Sequence, residues 1–509
     1  MKKRLKAYAA TAAAVSLAMG AVVPFSADAA SASGTGTSTL SIGLSAEPVQ
    51  LDPAMSSALV DRQVMINIYD TLLQLGPHNK ILPDLVTSYS MSKDGLTYTL
   101  HLRHGVKFQD GTPFNAAAVV FNLHRDMQAS SPRHAELTAV SSVQAIGSYT
   151  VVIHLKQPFS PLIAVLTGRT GMMASPTAVR KEGASFTRHP VGAGPYEFKD
   201  WVKGNHITLV KNPTYWKRGI PHFSQVVFKF FTDPNVEYMN LQSGAVQVVD
   251  TVPAQDLATL TQNSAFHVIN QPSYGYQGIW INVHAAPFNN VYLREALNLA
   301  INRQTIVNVL FKGAAVAGYS PFGPVSPAYV RSEDTPPVPN PAAVRKLLQK
   351  GGKPDGFSFT MKIANSPVIA EMAQIIQSML SRYGIKMTIQ QLEFGTLLSQ
   401  SESHAFQALQ LGWSGRLDPD ENVYGFFYSG GPMNASGFSN ARVDSLLNLA
   451  RRESSQASRQ RTYAQMMDIL HVQVPYVFLY HPNNVLAYSA KLKGFDYVPD
   501  GLIRAYTLS

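Results

Sequence analysis

Phe357-Ser358-Phe359-Thr360-Met361-Lys362-Ile363 alternates apolar and polar residues and reads as a strand. Behind it, Val368 to Tyr383 carries apolar residues at helical spacing. Lys386–Gln391 then reads as a second strand, Phe394–Ser401 as a second helix and Phe406–Leu411 as a third strand. The order β-α-β-α-β implies a parallel sheet with right-handed crossovers, which sets the fold class as α/β.

Working outward, Asn340-Pro341 begins a helix with Pro at its first position, and Gly351-Gly352 ends it. Val291–Lys312 reads as one long helix with Leu293, Leu297, Ala300 and Ile301 on one side. Ala441–Arg452 and Ser458–Val472 read as helices, and Val477–Tyr480 and Ala487–Tyr488 as late strands. The first half is richer in strands and hairpins. Thr39–Ser45, Leu96–Leu102, Tyr149–Leu155, Val226–Phe231 and Val246–Val249 read as strands, and Tyr196–Trp201 with His206–Lys211 as a hairpin about Lys203-Gly204-Asn205. Val60–Leu75 and Val236–Ser243 carry helical spacing, and Asn115 is placed to cap a helix over Ala116–Met127.

The chain has 509 residues, enough for two to four ordinary domains. Hydrophobic residues make up 45% and charged residues 15%, which favours a large core over disorder. Cysteine is absent, which excludes disulfide scaffolds, thiolate metal sites, cysteine nucleophiles and a lipid-modified cysteine. The net charge is +10, but the basic residues form no block beyond the start. A solvated surface is therefore the better reading than a nucleic-acid interface.

That start, Lys2-Lys3-Arg4-Leu5-Lys6, precedes an Ala-rich apolar stretch over Ala7–Val23 and the small-x-small pattern Ala27-Asp28-Ala29. We expect a cleavable signal peptide over residues 1–29, rather than a membrane anchor, and a Ser/Gly/Thr tether over 30–38. The mature protein is expected to be exported, periplasmic or otherwise extracytoplasmic, and monomeric.

Catalytic patterns are not found. The chain has no G-x-S-x-G, no phosphate-binding loop and no H-E-x-x-H. Gly192-Ala193-Gly194-Pro195 reads as a turn opening a strand. Scattered histidines offer no metal site, so neither a metal nor a cofactor is expected. The Asp418, Asp420 and Glu421 cluster reads as a polar turn or helix cap.

A binding role fits better. Tyr274, Tyr276, Trp280, Trp413, Tyr424 and Phe426 fall near strand ends or loops. Parallel α/β sheets bind ligands beyond the carboxyl ends of their strands. The strand Phe406–Leu411 runs into Gly412-Trp413-Ser414-Gly415-Arg416, an aromatic plate followed by a fixed cation. Trp413 reads equally well as core packing, and Arg416 as a partner of Asp418 or Asp420.

One set of segments, in order, resembles a known family. It comprises Glu47-Pro48-Val49-Gln50-Leu51-Asp52-Pro53, Lys93-Asp94-Gly95-Leu96-Thr97-Tyr98, Asp110-Gly111-Thr112-Pro113-Phe114-Asn115-Ala116, Val191-Gly192-Ala193-Gly194-Pro195-Tyr196, Lys211-Asn212-Pro213-Thr214-Tyr215-Trp216 and Leu293-Arg294-Glu295-Ala296-Leu297. These are similar to the peptide-type (family 5) extracellular solute-binding proteins of ABC importers. The resemblance implies a two-lobed periplasmic-binding-protein fold, type II of the peptide-binding class, that closes on its ligand. Lobe one would comprise residues 39–80, an extra subdomain over 81–188, residues 189–286 and a C-terminal return over 483–509. Lobe two would span 287–482, with crossings near Val283–Pro287 and His481–Val485.

The implied function is capture of a peptide or peptide-like solute and its delivery to a membrane permease. A metal chelate, an opine-like solute or, from another class, a secreted hydrolase are the alternatives. Dipeptide and oligopeptide binders of the family have a Trp-x-x-Asp arrangement whose Asp pairs with the ligand's α-amino group. Here Trp413 is kept but Arg416 stands at the Asp position, which points to an anionic group on the ligand. Asp418 is an alternative partner for an amine. Arg169 is a second candidate clamp, Tyr274 a candidate wall residue, and Ser56 and Ser57 candidate cleft residues by position.

Overall fold

In the computed structural model, residues 38–509 are described. The expected signal peptide, and the tether apart from Ser38, lie outside the described residues.

The second-half reading holds strand by strand. Ser358–Ala364 pairs in parallel with Lys386–Leu392 on one side and with Ala408–Gln410 on the other. Helix Pro367–Ser381 buries Met372, Ala373, Ile376 and Leu380, the i, i+4 stripe that its sequence spells, against this sheet. The sheet is mixed rather than purely parallel. Gln277–Ile281 joins it antiparallel to Ala408–Gln410 and then to Tyr476–Ser489.

Tyr476–Ser489 is a single strand of 14 residues and merges the two late strands read from sequence. Its first part pairs with Gln277–Ile281 and its second with Phe266–Pro272. Val248–Val249 pairs with its end and continues into Thr39–Leu44, Gln225–Phe230 and the hairpin Tyr196–Val202 with His206–Lys211. One long sheet thus runs through both lobes. Phe266–Pro272 pairs with the second half of the long strand and Gln277 with its first half, so the chain makes a first crossing between the two halves of the sheet at residues 273–276, upstream of Val283–Pro287. The long strand itself makes the second crossing, near His481.

A separate four-stranded antiparallel sheet has strands Val86–Met91, Thr97–Leu102, Thr150–Leu155 and Val140–Ile146. All fall inside the expected extra subdomain. Val151, Ile153 and Leu155 alternate inward, as their period of two requires. Helix Ala116–Asp126 covers this sheet, with Asn115 accepting the Ala118 N–H.

Two helix readings change. The helix read as Val60–Leu75 is Leu59–Ile68, followed by strand Leu73–Leu75. The helix read as Val291–Lys312 is two, Val291–Ala300 and Arg303–Leu310. Asn302 breaks it by capping the second, accepting from the Thr305 N–H at 3.0 Å. Arg303 Nη1 donates to the carbonyls of Asn298 and Ile301, which the continuous helix would have used itself.

The C-terminal return is held by helix Leu59–Ile68. Gln63 exchanges hydrogen bonds with Gly501 and Ile503, and Asn67 with Ile503 and Ala505. The i, i+4 spacing of the two amides places both on the face where the tail runs. Leu502, Ile503, Ala505 and Leu508 then complete the lobe-one core.

Candidate functional site: an interlobe cleft

The end of strand Ala408–Gln410 meets the first crossing at Tyr276. Tyr276 and Trp413 exchange backbone hydrogen bonds at 3.0 and 2.9 Å. A Cβ on Gly412 would sit 2.3 Å from the Tyr276 carbonyl oxygen, so only glycine allows this approach. Gly415, at φ +74°, packs as tightly against Tyr274. The two glycines hold Trp413-Ser414 as a short bracket at the mouth of lobe two.

That bracket forms one wall of a cavity of about 1050 Å³ that both lobes line. Lobe one contributes Ser45, Glu47, Ser57, Ala58, Gln63, Ser131, Pro132 and Asp250. Lobe two contributes Trp280, Ile369, Phe394, Leu398, Trp413, Ser414, Phe426 and Met433. The crossing strands contribute Ser273, Gly275, Gln277, Tyr480 and Asn483. The lobe-two side is mostly apolar and aromatic. Trp413 packs edge-on to Phe426 with centroids 4.9 Å apart, and Trp280 stacks on Phe426 at 6.1 Å.

Electrostatically, the wall is acidic. Among the described residues it carries Glu47, Asp250, Glu393, Glu402 and Asp500, and no Lys or Arg. Several of these have structural partners. Glu47 accepts from Trp201 Nε1 at 2.8 Å, Glu393 caps the helix that follows it, and Asp500 pairs with Arg504 at 2.8 Å. Burial pushes the Asp250 carboxyl up to about 7.

Of the seven residues singled out from sequence, Ser57 and Trp413 line the cavity. The other five lie behind its wall. Ser56 is fully buried and donates to Asp61 at 2.7 Å. Tyr274 is fully buried and donates to Asn79. Asp418 is held by Arg459, whose Nη1 approaches at 2.9 Å. Arg169 is 1% exposed and donates to Ser56 and to the Ala58 carbonyl.

Arg416 pairs with neither Asp418 nor Asp420, since Arg459 and Arg451 take those carboxylates. Its guanidinium lies 4.3 Å from the centroid of the Trp413 ring and donates to Ser414 and to the Gly415 carbonyl, and Arg416 does not line the cavity. Sequence reasoning missed Asn422, which ties the bracket together. Asn422 accepts from Trp413 Nε1 at 3.1 Å and from the Arg416 N–H at 2.8 Å, and its amide donates to the Arg416 carbonyl. Nothing in the spacing of a lone Asn in a polar turn signals that role.

Among the described residues, no group of three or more His, Asp or Glu is placed to hold a metal. No described helix is long and apolar enough to cross a membrane. The comparisons with known proteins agree with the two-lobed cleft. Residues 80–435 match the bacterial extracellular solute-binding proteins, family 5 middle region. The chain belongs to this family.

Among its relatives, the glutathione-binding protein GsiB of Salmonella choleraesuis (strain SC-B67) is 34% identical over 467 residues, which cover 88% of this chain and 90% of the relative. Among solved structures, the periplasmic binding protein DppA of Helicobacter pylori, in complex with the peptide STSA, superposes with a TM-score of 0.84 at 26% identity. The match covers 92% of this chain and 97% of that one. The oligopeptide-binding protein AppA of Bacillus subtilis, in complex with a nonapeptide, gives a TM-score of 0.85 at 26% identity, covering 92% and 99%. A family 5 solute-binding protein thus has here its two-lobed fold, with the cleft where the lobes meet.

Proposed function

We propose that this family 5 protein captures a short peptide or peptide-like solute outside the cytoplasm, closes its two lobes on it, and delivers it to an ABC-transporter permease. It acts by binding rather than turnover. The observation that carries the reading is the interlobe cavity of about 1050 Å³ with an aromatic wall from lobe two and a polar wall from lobe one. Such a volume is at the upper end of the range for small-molecule sites, about 300–1,000 Å³. The peptide and glutathione named for DppA, AppA and GsiB support the solute class. A solute ammonium would find its partner among the wall carboxylates, since residue 416 offers none.

Trp280 and Trp413 line the cavity, so intrinsic fluorescence reports its filling directly. Titration with the tetrapeptide STSA, a nonapeptide and glutathione is expected to give a saturable one-site change with at least one of them. Unchanged emission with all three, together with unchanged melting temperatures, would overturn the peptide reading.

A further inference from the structure

The two lobes also meet away from their crossing segments, at Arg451. This residue lies in the last turn of helix Ala441–Arg452 in lobe two and is 2% exposed. Its own lobe aims its guanidinium. Nε donates to Asp420 Oδ1 at 2.8 Å and Nη2 to Asp420 Oδ2 at 3.0 Å, a two-pronged grip from the turn Pro419–Asn422. The guanidinium carbon sits 3.1 Å from the centroid of the Tyr424 ring.

The remaining donors reach the subdomain built on the four-stranded sheet. Nη1 donates to Thr138 Oγ1 at 2.5 Å, and Nη2 donates also to the Ala135 carbonyl. Phe159, from the core under that sheet, has its ring centroid 5.1 Å from the guanidinium carbon. Each of the three nitrogens therefore has an acceptor, and two of them have one in the opposite lobe. The Arg451 carbonyl is held from the same side. Ser160 donates to it through its N–H at 3.0 Å and through its hydroxyl at 3.2 Å. A carbonyl in the last turn of a helix has no partner within the helix, and lobe one supplies it here.

Arg451, Asp420, Ala135, Thr138, Phe159 and Ser160 do not line the interlobe cavity. The contact nevertheless borders it. Ala135 belongs to the turn Pro132–Glu136 and packs into the lobe-two aromatic cluster with Phe426, and Pro132 and Phe426 both line the cavity. This junction is made of protein groups alone, so a solute is not needed to form it.

We propose that Arg451 is an interlobe latch, which holds the two lobes together by protein contacts alone and whose release sets how readily the cleft opens. When the lobes part, Arg451 keeps Asp420 and gives up Thr138, Ala135 and Ser160. The guanidinium stays aimed on lobe two and the latch re-forms on closing. Such a latch gives the chain a closed population without solute and adds a release step to solute exchange. The proposal does not rest on the peptide reading.

The chain has no cysteine, so Lys93→Cys with Lys346→Cys puts one fluorophore on each lobe, both at exposed positions. Single-molecule energy transfer then counts closed and open chains with no solute added. In this background we expect a closed population. The ratio of closed to open chains is expected to fall at least fivefold in Thr138→Val, which keeps the side chain's shape but leaves a buried charged donor unmet. Arg451→Lys, which keeps the charge beside Asp420 but not the fork, is expected to lower it as well. A labelled chain that is wholly open would overturn the latch, and so would an unchanged ratio in Thr138→Val.

Hydrogen exchange separates a latch from general loosening. The Ser160 N–H is expected to exchange at least fivefold faster in Thr138→Val, while the N–H groups of Val151 and Ile153 in the sheet of the same subdomain keep their wild-type rates. Equal quickening of all three would overturn the latch.

Discussion

Asp418 and Arg459 form a partly buried pair with contacts at 2.5 and 2.9 Å. The adjacent carboxylate raises the Arg459 guanidinium further above its ordinary range. Asp418→Ala leaves that cation without its partner, and we expect a loss of about 3–5 kcal/mol in urea unfolding. Affinity for the solute should be unchanged, because Asp418 does not line the cavity. A changed dissociation constant at equal stability would return Asp418 to the site.

Asp70 gives a pH signature at the same scale. It accepts from Tyr215 Oη at 3.0 Å and Trp216 Nε1 at 2.6 Å, and burial together with Asp84 pushes its carboxyl up to about 8. The folded state therefore holds a proton that the unfolded chain, with an ordinary value near 3.8, releases. Stability from this group is full below about pH 4 and is lost as pH rises through about 8. Asp70→Asn should flatten the fall in melting temperature between pH 5 and 8. A variant with the wild-type slope would show that other groups set it.

Single residues were the least legible scale. Trp413 could be placed at the cleft because a strand end points there. The hold on the Arg416 backbone comes from Asn422, six residues on and joined to it only in three dimensions.

At the scale of elements, the bracket depends on Gly412. Gly412→Ala places a methyl 2.3 Å from the Tyr276 carbonyl oxygen and from Gln277 Cδ, so the Trp413 plate must shift. We expect a lower melting temperature and solute binding weakened by about tenfold or more, read by Trp fluorescence; unchanged binding would separate the bracket from the site. Periodic elements were legible where one face is buried. The helix after Asn340 and the hairpin about Gly204 appear where local chemistry puts them. Breaks were not legible. The Val291–Lys312 pattern keeps its apolar stripe across Ile301-Asn302, and the Asn302 cap together with the capture of backbone carbonyls by Arg303 divides it. In the same way, strand Gln277–Ile281 carries no mark of which lobe it pairs with.

For the whole molecule, two crossing segments connect the lobes, residues 273–276 and the middle of strand Tyr476–Ser489. They are tied together. His481 on the second bonds the Gly275 carbonyl of the first through Nδ1 at 3.0 Å, and its Nε2 meets Asp334 at 3.0 Å. Closure about such a pair would shut a solute in the cavity that both lobes line. The two-lobed plan itself followed from family-like segments spread along the chain, whereas the acidic cavity wall and the arginines behind it emerged only from the packing of distant segments.

The central claim is that a peptide-like solute occupies the interlobe cavity. Native mass spectrometry of the purified chain, mixed with STSA, a nonapeptide and glutathione in turn, tests it most directly. The account predicts a one-to-one complex with at least one of them that disappears on denaturation. A bare protein mass in every mixture would contradict it.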